Sequence, residues 1–371
     1  MTRLDKLIAQ YCSDGVEFKA LEDVIDYEQP YKYIVKNTDY SDGFPTPVLT
    51  AGQTFILGYT NEEDGIYEAN KEKPVIIFDD FTTANKWVDF RFKIKSSAMK
   101  ILTSKDNNKY DIRYLYHVIQ TIRYVPVDHS RQWIGTYSKF TIPVPPMEVQ
   151  CEIVRILDNF TELTAELTAE LTARKKQYEY YKRYLLESAQ TTVYHLDDIS
   201  QNCDNQRRPI TSGKRKAGIY PYYGASGIVD YVEDYIYDGD YLLVSEDGAN
   251  LLARSTPIAF SISGKNWVNN HAHVLKFETY ETHRYVEFYL NFIDLSQFIT
   301  GGAQPKLNQK NLNKIDIPLP TQEEQKRIVS ILDRFDKLCN DISVGLPAEI
   351  EARKKQYEYY RDKLLTFKEA I

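Results

Sequence analysis

The sequence predicts an α+β protein with a pseudo-two-fold internal repeat, in which two globular domains are joined by two long helices. The stretch Ala-Arg-Lys-Lys-Gln-Tyr-Glu-Tyr-Tyr at residues 173–181 recurs letter for letter at 352–360. Each copy is the later part of a helical pattern, and each helical pattern follows a block of short β-rich runs. Because a duplicated chain carries two similar apolar-seamed helices, we expect them to form an antiparallel coiled coil.

The repeat extends over nearly the whole chain. Leu21 and Leu196 are 175 residues apart (196 − 21), and so are Phe160 and Phe335 (335 − 160). A Pro-hydrophobic-Pro exit closes each β-rich block and leads into a long helix. The predicted division is a first globular domain with a short N-terminal helix at 1–145, a first spacer helix at 146–189, a second globular domain at 190–319 and a second spacer helix at 320–371.

The two predicted spacer helices differ in one respect. Apolar residues recur at steps of three and four in both, which is the pattern of a coiled-coil seam. The second contains Gly345 and Pro347, and because proline lacks a backbone N–H and clashes with the preceding turn, we expect a break or kink there. The first has no such break and instead carries the four-residue unit Thr-Ala-Glu-Leu twice in tandem, at 164–171.

Composition argues against several classes of protein. No apolar run reaches the length of a membrane span and no signal-peptide core follows the N-terminus, so we expect a cytoplasmic protein without membrane attachment. The four cysteines are scattered, which predicts neither a disulfide framework nor a zinc site. The formal charge of −7 argues mildly against nucleic-acid binding, but the charge is distributed unevenly along the chain.

No motif indicates catalysis or cofactor binding. The sequence has neither a Gly-x-x-x-x-Gly-Lys-Ser/Thr loop nor a Gly-x-Gly-x-x-Gly pattern after a strand. The acidic pairs at 79–80 and 246–247 follow corresponding predicted strands, and we interpret them as polar strand ends or base-edge contacts because no nucleophile or base lies nearby. We therefore predict no catalytic residues, no metal ligands and no cofactor for this chain.

Two segments of the second block contain the residue types that contact DNA. Residues 207–216 crowd Arg and Lys around Gly213 and precede a tyrosine- and glycine-rich stretch, which suits phosphate and base-edge contacts, although a solvated surface loop has the same composition. Residues 301–311 are rich in side-chain amides, and the first block has sparser counterparts. The candidate DNA-binding residues are Lys86, Lys93, Lys95, Arg131, Gln132, Arg207, Arg208, Lys214, Arg215, Lys216, Tyr223, Ser226, Gln304, Lys306 and Asn308.

The basic and aromatic residues of the repeated stretch have two interpretations. A basic helix face can simply be solvated, or it can dock an acidic partner or the DNA backbone. Their repetition favours one type of partner that is contacted twice, once by each copy. The candidate docking residues are Arg174, Lys175, Lys176, Tyr180, Arg353, Lys354, Lys355 and Tyr359.

With these motifs, the chain resembles the specificity subunits of Type I DNA restriction–modification systems. The resemblance covers essentially the full length. It rests on the doubled exits at 142–146 and 317–325, the Ile-Val-x-Ile-Leu-Asp motif at 153–158 and 328–333, the repeated stretch at 173–181 and 352–360, and the segments 223–227 and 301–308. The Thr-Ala-Glu-Leu repeat resembles one subgroup of these subunits.

The resemblance implies two target recognition domains, each reading one half of a split site in double-stranded DNA. It implies spacer helices that dock two methyltransferase subunits, with restriction subunits completing the complex and S-adenosylmethionine bound only by the methyltransferase subunits, which methylate adenine. It also implies that the number of Thr-Ala-Glu-Leu units sets the distance between half-sites. Four residues lengthen a helix by about 6 Å and turn it roughly 40° beyond a full turn, close to the roughly 35° between base pairs.

Two other classes of function are alternatives: a stand-alone DNA methyltransferase or nuclease, and a coiled-coil scaffold without DNA readout. The missing cofactor loop argues against the enzyme. The divergence of the loops between two blocks whose helices repeat argues against the scaffold, because reading two different half-sites requires divergent loops and a scaffold does not.

Overall fold

The computed structural model describes residues 2–50, 54–302 and 304–370. It consists of two compact units: unit 1 comprises Met1–Thr168 with Glu349–Ile371, and unit 2 comprises Ala169–Ala348. Each unit contains both helices and sheets, which confirms the mixed α+β content. In the described part of the chain, no helix is both long and apolar enough to cross a membrane.

Up to residue 168, unit 1 contains two sheets and a separate pair of strands. The second strand of this pair leads into the long helix and is called the exit strand. The helices of unit 1 are α1 (Arg3–Tyr11), α2 (Leu21–Val24), α3 (Ile112–Ile119) and the first part of α4 (Met147–Ser188). Its strands are β1 (Glu17–Ala20), β2 (Ile25–Glu28), β3 (Thr46–Leu49), β4 (Ile56–Thr60), β5 (Val75–Asp79), β6 (Asn85–Val88), β7 (Lys93–Ile94), β8 (Met99–Ser104) and β9 (Thr141–Val144). The sheets have the orders β2-β8-β5-β6 and β4-β3-β7, and β1 pairs with β9.

Unit 2 has the same connectivity. Its helices after α4 are α5 (Leu196–Ile199), α6 (Asn250–Ala253), α7 (Tyr280–Phe292), α8 (Gln309–Asn313) and α9 (Gln322–Asn340). Its strands are β10 (Thr191–His195), β11 (Gln201–Asn202), β12 (Ala217–Gly224), β13 (Gly227–Val232), β14 (Tyr237–Asp238), β15 (Tyr241–Ser245), β16 (Ala259–Ile262), β17 (Lys265–Val268), β18 (Ala272–Lys276) and β19 (Asp316–Pro320). The orders β11-β18-β15-β16 and β13-β12-β17-β14 repeat those of unit 1 with β14 added, and β10 pairs with β19.

The central strand of each unit is buried on both faces. In β5, Ile76 and Phe78 join the core beneath α3 and α4, whereas Val75 and Ile77 join the core of the three-stranded sheet. The central strand of unit 2, β15, divides its side chains between two cores in the same way. A strand covered on both faces carries apolar residues at every position, which is why these two runs are recognisable in the sequence.

The long helices behave differently in the two halves of the chain. The first, α4, is continuous, whereas α9 ends at Asn340 and α10 begins at Leu346 and runs to Leu364, so the break predicted near Gly345 is present. A side chain at Gly345 has no room, since a Cβ there would lie 2.5 Å from the carbonyl oxygen of Lys337. The described turn between the helices is held by Asp341, whose Oδ1 accepts the backbone N–H of Ser343 at 2.8 Å.

Within each unit, two long helices are in contact through an aromatic pair. In unit 1, Tyr360 of α10 stacks on Phe160 of α4 with ring centroids 5.4 Å apart. In unit 2, Tyr181 in the later part of α4 stacks on Phe335 of α9 at 5.7 Å. The two pairs are equivalent, because both tyrosines occupy the same place in the repeated stretch and the phenylalanines are 175 residues apart (335 − 160).

Candidate nucleic-acid interface

In unit 1, the central strand ends at a buried carboxylate. Asp80 follows β5, and its Oδ2 lies 2.9 Å from Nζ of Lys100, which is also buried. The backbone N–H of Trp133 donates to Asp80 Oδ1 at 2.8 Å, which fixes the loop around residue 132 on the strand end. Arg131, with 43% of its side chain exposed, lies 3.8 Å from the same carboxylate. An exposed cation is therefore held at the open end of the central strand.

Unit 2 has a larger charged cluster at the equivalent place. Glu246 follows β15 and is paired with Arg207 at 2.6 Å and with Nζ of Lys306 at 3.1 Å. The backbone N–H of Leu307 donates to the Glu246 carbonyl at 2.8 Å, as that of Gln132 does to the Asp80 carbonyl. Arg131 and Lys306 are 175 residues apart (306 − 131). The two segments predicted at 207–216 and 301–311 thus meet at one carboxylate; Ala303 lies outside the described residues.

The cluster extends to Asp204 and His273. Nδ1 of His273 lies 2.6 Å from Asp204 Oδ2, and Arg207 lies 3.2 Å from the same oxygen. Burial alone would raise the pKa of Asp204 and Glu246, but hydrogen bonds from His273 and Arg207, together with the nearby positive charges, hold both pKa values below their usual range. Oxygens of both acids and a ring nitrogen of His273 lie within 4.8 Å of one another. Because Arg207 and Lys306 already balance the carboxylates, we interpret the cluster as an ion-pair network.

The basic segment of unit 2 contains both held and exposed side chains. Arg215 lies over the ring of Tyr222, 4.4 Å from its centroid, and pairs with Asp230 at 3.2 Å. Arg208, Lys214 and Lys216 are exposed, and Lys216 pairs with the exposed Glu233 at 2.7 Å. The exposed lysines and Arg208 are therefore the DNA-contact candidates of this segment, whereas Arg207 and Arg215 organise it.

The remaining candidates of unit 2 lie around the same strand end. Ser226 is exposed at the turn between β12 and β13, and Ser245 ties this turn to the central strand by donating to the Ala225 carbonyl at 2.5 Å. Tyr223 is half-buried against Phe260. Gln304 is exposed, whereas Asn308 is the N-cap of α8 and accepts the backbone N–H of Asn311 at 3.0 Å. The side-chain oxygen of Asn308 therefore has a structural partner.

Two candidates in unit 1 are corrected by the structure. Lys93 is 1% exposed and its Nζ lies 2.9 Å from Glu62, while Gln132 is buried and accepts a hydrogen bond from the Tyr124 hydroxyl at 2.7 Å. Buried side chains with these partners do not reach DNA. Lys86 and Lys95 are exposed, and with Arg131 they are the remaining candidates of this unit.

The repeated stretch makes the same local contacts in both copies. Arg174 bonds Gln177 at 3.0 Å, and Arg353 bonds Gln356 at 3.1 Å. The four lysines of the stretch, Lys175, Lys176, Lys354 and Lys355, are exposed. Tyr180 and Tyr359 are 65% and 61% exposed. Each copy therefore packs one face on a neighbouring helix and leaves an aromatic and basic face open.

Two ion pairs that were not predicted from the sequence join a helix of the globular part of each unit to a long helix. Arg113 of α3 bonds Asp158 of α4 at 2.8 Å, and Arg284 of α7 bonds Asp333 of α9 at 2.7 Å. A signal for them exists, because both aspartates close the repeated Ile-Val-x-Ile-Leu-Asp motif and both arginines precede a tyrosine in the late helix of their block.

The chain resembles known proteins over almost its full length. The family model described as Type I restriction modification DNA specificity domain matches twice, at residues 13–174 and 190–352. The chain is 42% identical to the EcoR124I/EcoR124II Type I restriction enzyme specificity subunit of Escherichia coli, over 99% of this chain and 97% of that protein. It is 36% identical to a putative type I restriction enzyme specificity subunit of Haemophilus influenzae, over 50% of this chain and 49% of the relative.

A solved structure shares the fold. The crystal structure of a Type-I restriction-modification system S subunit from M. genitalium matches with a TM-score of 0.65 at 14% identity, over 95% of this chain and 96% of that chain. The doubled family match places the same domain in each half of the chain. The chain therefore belongs to the family of Type I restriction–modification DNA specificity subunits.

Proposed function

We propose that this subunit directs its complex to a bipartite DNA site, with recognition domains at 1–145 and 190–319 that each read one half. One observation carries the proposal: the two units share strand connectivity, but the ends of their central strands carry different polar groups. Asp80 with Arg131 stands in one unit where Glu246 with Lys306 stands in the other. Equivalent scaffolds with different side chains suit two different base sequences, because bases are distinguished by their donor and acceptor patterns.

Exposed cations among the candidate residues are the proposed phosphate contacts. In unit 2 they are Arg208, Lys214 and Lys306, and in unit 1 Lys95 and Arg131. Such contacts position a protein on the duplex, whereas base-edge contacts specify the sequence. The local positive charge lets a chain of net negative charge bind DNA, because phosphate affinity depends on the lysines and arginines at the interface.

The long helices are the proposed assembly surface. We infer that the spacer helices form an antiparallel coiled coil and that the open faces of the two repeated stretches dock two methyltransferase subunits. Tyr180 and Tyr359 offer exposed aromatic rings beside basic side chains, a composition that suits protein interfaces. The methyltransferase subunits would bind S-adenosylmethionine and methylate adenine, and restriction subunits would complete the complex, in the cytoplasm. The specificity subunit itself supplies no catalytic group in this proposal.

The Thr-Ala-Glu-Leu repeat is the proposed ruler between the half-sites. It lies at 164–171, and the boundary between the two compact units, at Thr168 and Ala169, falls inside it. The hydroxyls of Thr164 and Thr168 donate to carbonyls four residues earlier at 2.8 and 2.7 Å, so these two polar side chains are satisfied within the helix. A further copy would lengthen and turn the helix by about 6 Å and 40°.

The test of the function is to reconstitute the subunit with its methyltransferase subunits and to map methylated adenines by modified-base sequencing. We expect methylation at one split motif with two defined halves and a fixed gap. Methylation of an uninterrupted motif, or of none, would contradict the proposal. Methyl transfer or DNA cleavage by the purified chain alone would instead support the enzymatic alternative, and assembly without any effect on DNA choice would support the scaffold.

The ruler is tested by deleting residues 168–171. We expect the preferred gap between half-sites to become shorter while both half-site sequences stay the same. The same deletion should leave binding of the methyltransferase subunits intact, which size-exclusion chromatography of the complex would measure. A change in either half-site sequence would count against the ruler.

A further inference from the structure

Three matched contacts fasten α3 of unit 1 to the exit strand and to α4. The Tyr114 hydroxyl donates to the Pro143 carbonyl at 3.0 Å. The backbone N–H of Asp111 donates to the side-chain oxygen of Gln150 at 2.9 Å. Nε of Arg113 donates to Asp158 at 2.8 Å. The helix is thereby held at three successive levels, from the exit strand to the fourth turn of α4.

Unit 2 repeats these contacts between α7, the exit strand β19 and α9. The Tyr285 hydroxyl donates to the Pro318 carbonyl at 2.8 Å. The Thr282 hydroxyl donates to the side-chain oxygen of Gln325 at 2.8 Å. Arg284 donates to Asp333 through both Nε, at 2.9 Å, and a terminal nitrogen, at 2.7 Å.

The correspondence holds residue by residue. The acceptors on the exit strands and long helices are 175 residues apart, as in Asp158 and Asp333 (333 − 158), and the donors Arg113 and Arg284 are 171 apart (284 − 113). The equivalent pairs are Pro143 with Pro318, Gln150 with Gln325, Asp158 with Asp333, Tyr114 with Tyr285, and Arg113 with Arg284. The two halves of the chain therefore share these contacts of α3 and α7, although the polar groups at their strand ends differ.

The contacts lie at two levels of each long helix. Gln150 and Gln325 are buried in the first turn, and each also donates to a proline carbonyl of its exit, Pro145 or Pro320, at 2.7 Å. The aspartates lie eight residues further on (158 − 150, 333 − 325), a rise of about 12 Å along the helix. Because two separated levels are fixed, the domain helix resists both tilting and rotation about the long helix.

The guanidinium groups are themselves held in place. Arg113 lies over the ring of Trp87, 4.5 Å from its centroid, and Arg284 lies over the ring of Phe288 at 4.5 Å. Burial alone would raise the pKa of Asp158, but His117 and Arg113 hold it below its usual range, so the carboxylate stays charged. A planar guanidinium stacked on a ring and bonded to a carboxylate fixes direction as well as distance.

We propose that the pairs Arg113–Asp158 and Arg284–Asp333 are positioning pairs that set the rotational register of each recognition domain on its spacer helix. This inference rests on the proposed reading of a split site. Neighbouring base pairs differ by roughly 35° of rotation, so a domain that turned by that amount on its helix would accept a gap one base pair longer or shorter. A ruler helix defines a gap only if its domains cannot turn on it.

The test compares methylation of DNA substrates by the reconstituted complex, with half-sites separated by the preferred gap or by one base pair more or less. We expect Arg113→Gln and Arg284→Gln each to reduce the preference for the correct gap by about tenfold, since a hydrogen bond to a charged group is lost. Both half-site sequences should stay unchanged. The swapped double variant, Arg284→Asp with Asp333→Arg, should recover part of the preference.

Arg327→Gln is the matched control. Arg327 pairs with Glu324 at 2.6 Å within α9 itself, so this variant removes an ion pair from the same helix without touching a domain. We expect its gap preference to equal that of the wild type.

Two results would overturn the positioning role. One is an unchanged gap preference, or an altered half-site sequence, in the glutamine variants. The other is loss of methylation at every gap that the swapped double variant does not restore, because the pairs would then act in folding or assembly rather than in register. Failure of the underlying function would look different, since the wild-type complex itself would not methylate a split site at any gap.

Discussion

The two units solve the same structural problem at their strand ends in different ways. Unit 1 pairs the buried carboxylate of Asp80 with the buried ammonium of Lys100 at 2.9 Å and with the exposed Arg131 at 3.8 Å. Unit 2 places Arg207 between Asp204 and Glu246 and adds His273 and Lys306 around them. The scaffold beneath is equivalent in both. This position therefore tolerates new residue types provided that each buried charge keeps a partner, since an unpaired buried charge is far more costly than a paired one.

The largest predicted effect comes from removing the buried cation beside Asp80 in unit 1. Lys100→Met should lower the free energy of unfolding of unit 1 by about 3–5 kcal/mol, because buried Asp80 then keeps only the more distant, exposed Arg131. Arg207→Met in unit 2 should cost less, about 1–3 kcal/mol, because His273 and Lys306 remain beside the two carboxylates. Denaturant unfolding followed by hydrogen exchange in each unit would measure both.

The exposed Lys86→Met is the control for this comparison, and surface substitutions usually change stability by less than about 0.5 kcal/mol. The double variant Lys100→Met with Asp80→Asn should regain most of the loss. Equal losses of unfolding free energy for Lys100→Met and Arg207→Met would show that His273 and Lys306 do not compensate for the missing Arg207.

The second prediction is that His283 makes unit 2 less stable at acidic pH. Burial, with the nearby Arg284 charge, lowers the pKa of His283 to about 4, whereas an unfolded histidine titrates near 6.5. The unfolded chain therefore takes up the proton first as the pH falls. Stability is lost between about pH 6.5 and 4, by roughly 3 kcal/mol at the lower end, and nothing is lost above that window.

His283→Gln should remove this loss. The stability difference between pH 7.5 and 4.5 would be measured for unit 2 in wild type and variant, and the variant should be the less pH-dependent. Its behaviour at pH 7.5 serves as the internal control, because the histidine is neutral there in both states. A variant with the full wild-type pH dependence would exclude His283 as the cause.

The smallest predicted effect separates the two roles within the basic segment. Lys214→Ala should weaken DNA binding of the assembled complex a few-fold and reduce the slope of log affinity against log salt by about one, as expected for one lost phosphate contact. Lys95→Ala is the corresponding change in unit 1. An unchanged slope would remove the substituted lysine from the interface.

Arg215→Ala should act through the fold instead. Its guanidinium stacks on Tyr222 and pairs with Asp230, so we expect faster hydrogen exchange in β12 and β13 with little change in the salt slope. A reduced slope without any effect on exchange would reverse the assignment.

The elements that were predictable from the sequence are those with a strong local pattern. Ile76 and Phe78 belong to a continuous apolar run, and the helical period of α4 and the proline after Gly345 are equally local signals. The two long helical segments were recognisable because the same stretch of sequence occurs in both, at 173–181 and 352–360. Asn308 could have been identified as an N-cap from its position before a short helical segment.

The misassigned site residues depend on contacts between distant segments. Lys93 lies between Phe92 and Ile94 and is a candidate DNA contact by residue type, whereas its ammonium is buried against Glu62. Gln132 reaches Tyr124 inside its own loop. No local pattern indicates that a lysine will find a buried carboxylate, so burial of charged residues was beyond sequence reasoning.

The interrupted course of unit 1 along the chain has a consequence for biosynthesis. Unit 1 is completed by its final segment, where the backbone N–H of Val16 donates to the Lys368 carbonyl at 2.8 Å and that of Ala370 donates to the Val16 carbonyl at 2.9 Å. Leu365 is also part of its core. On the ribosome, every residue of unit 2 is translated before this segment, although unit 1 begins first. Until that segment is synthesised, the core of unit 1 lacks Leu365 and leaves apolar surface exposed. Chaperones bind exposed apolar surface of this kind.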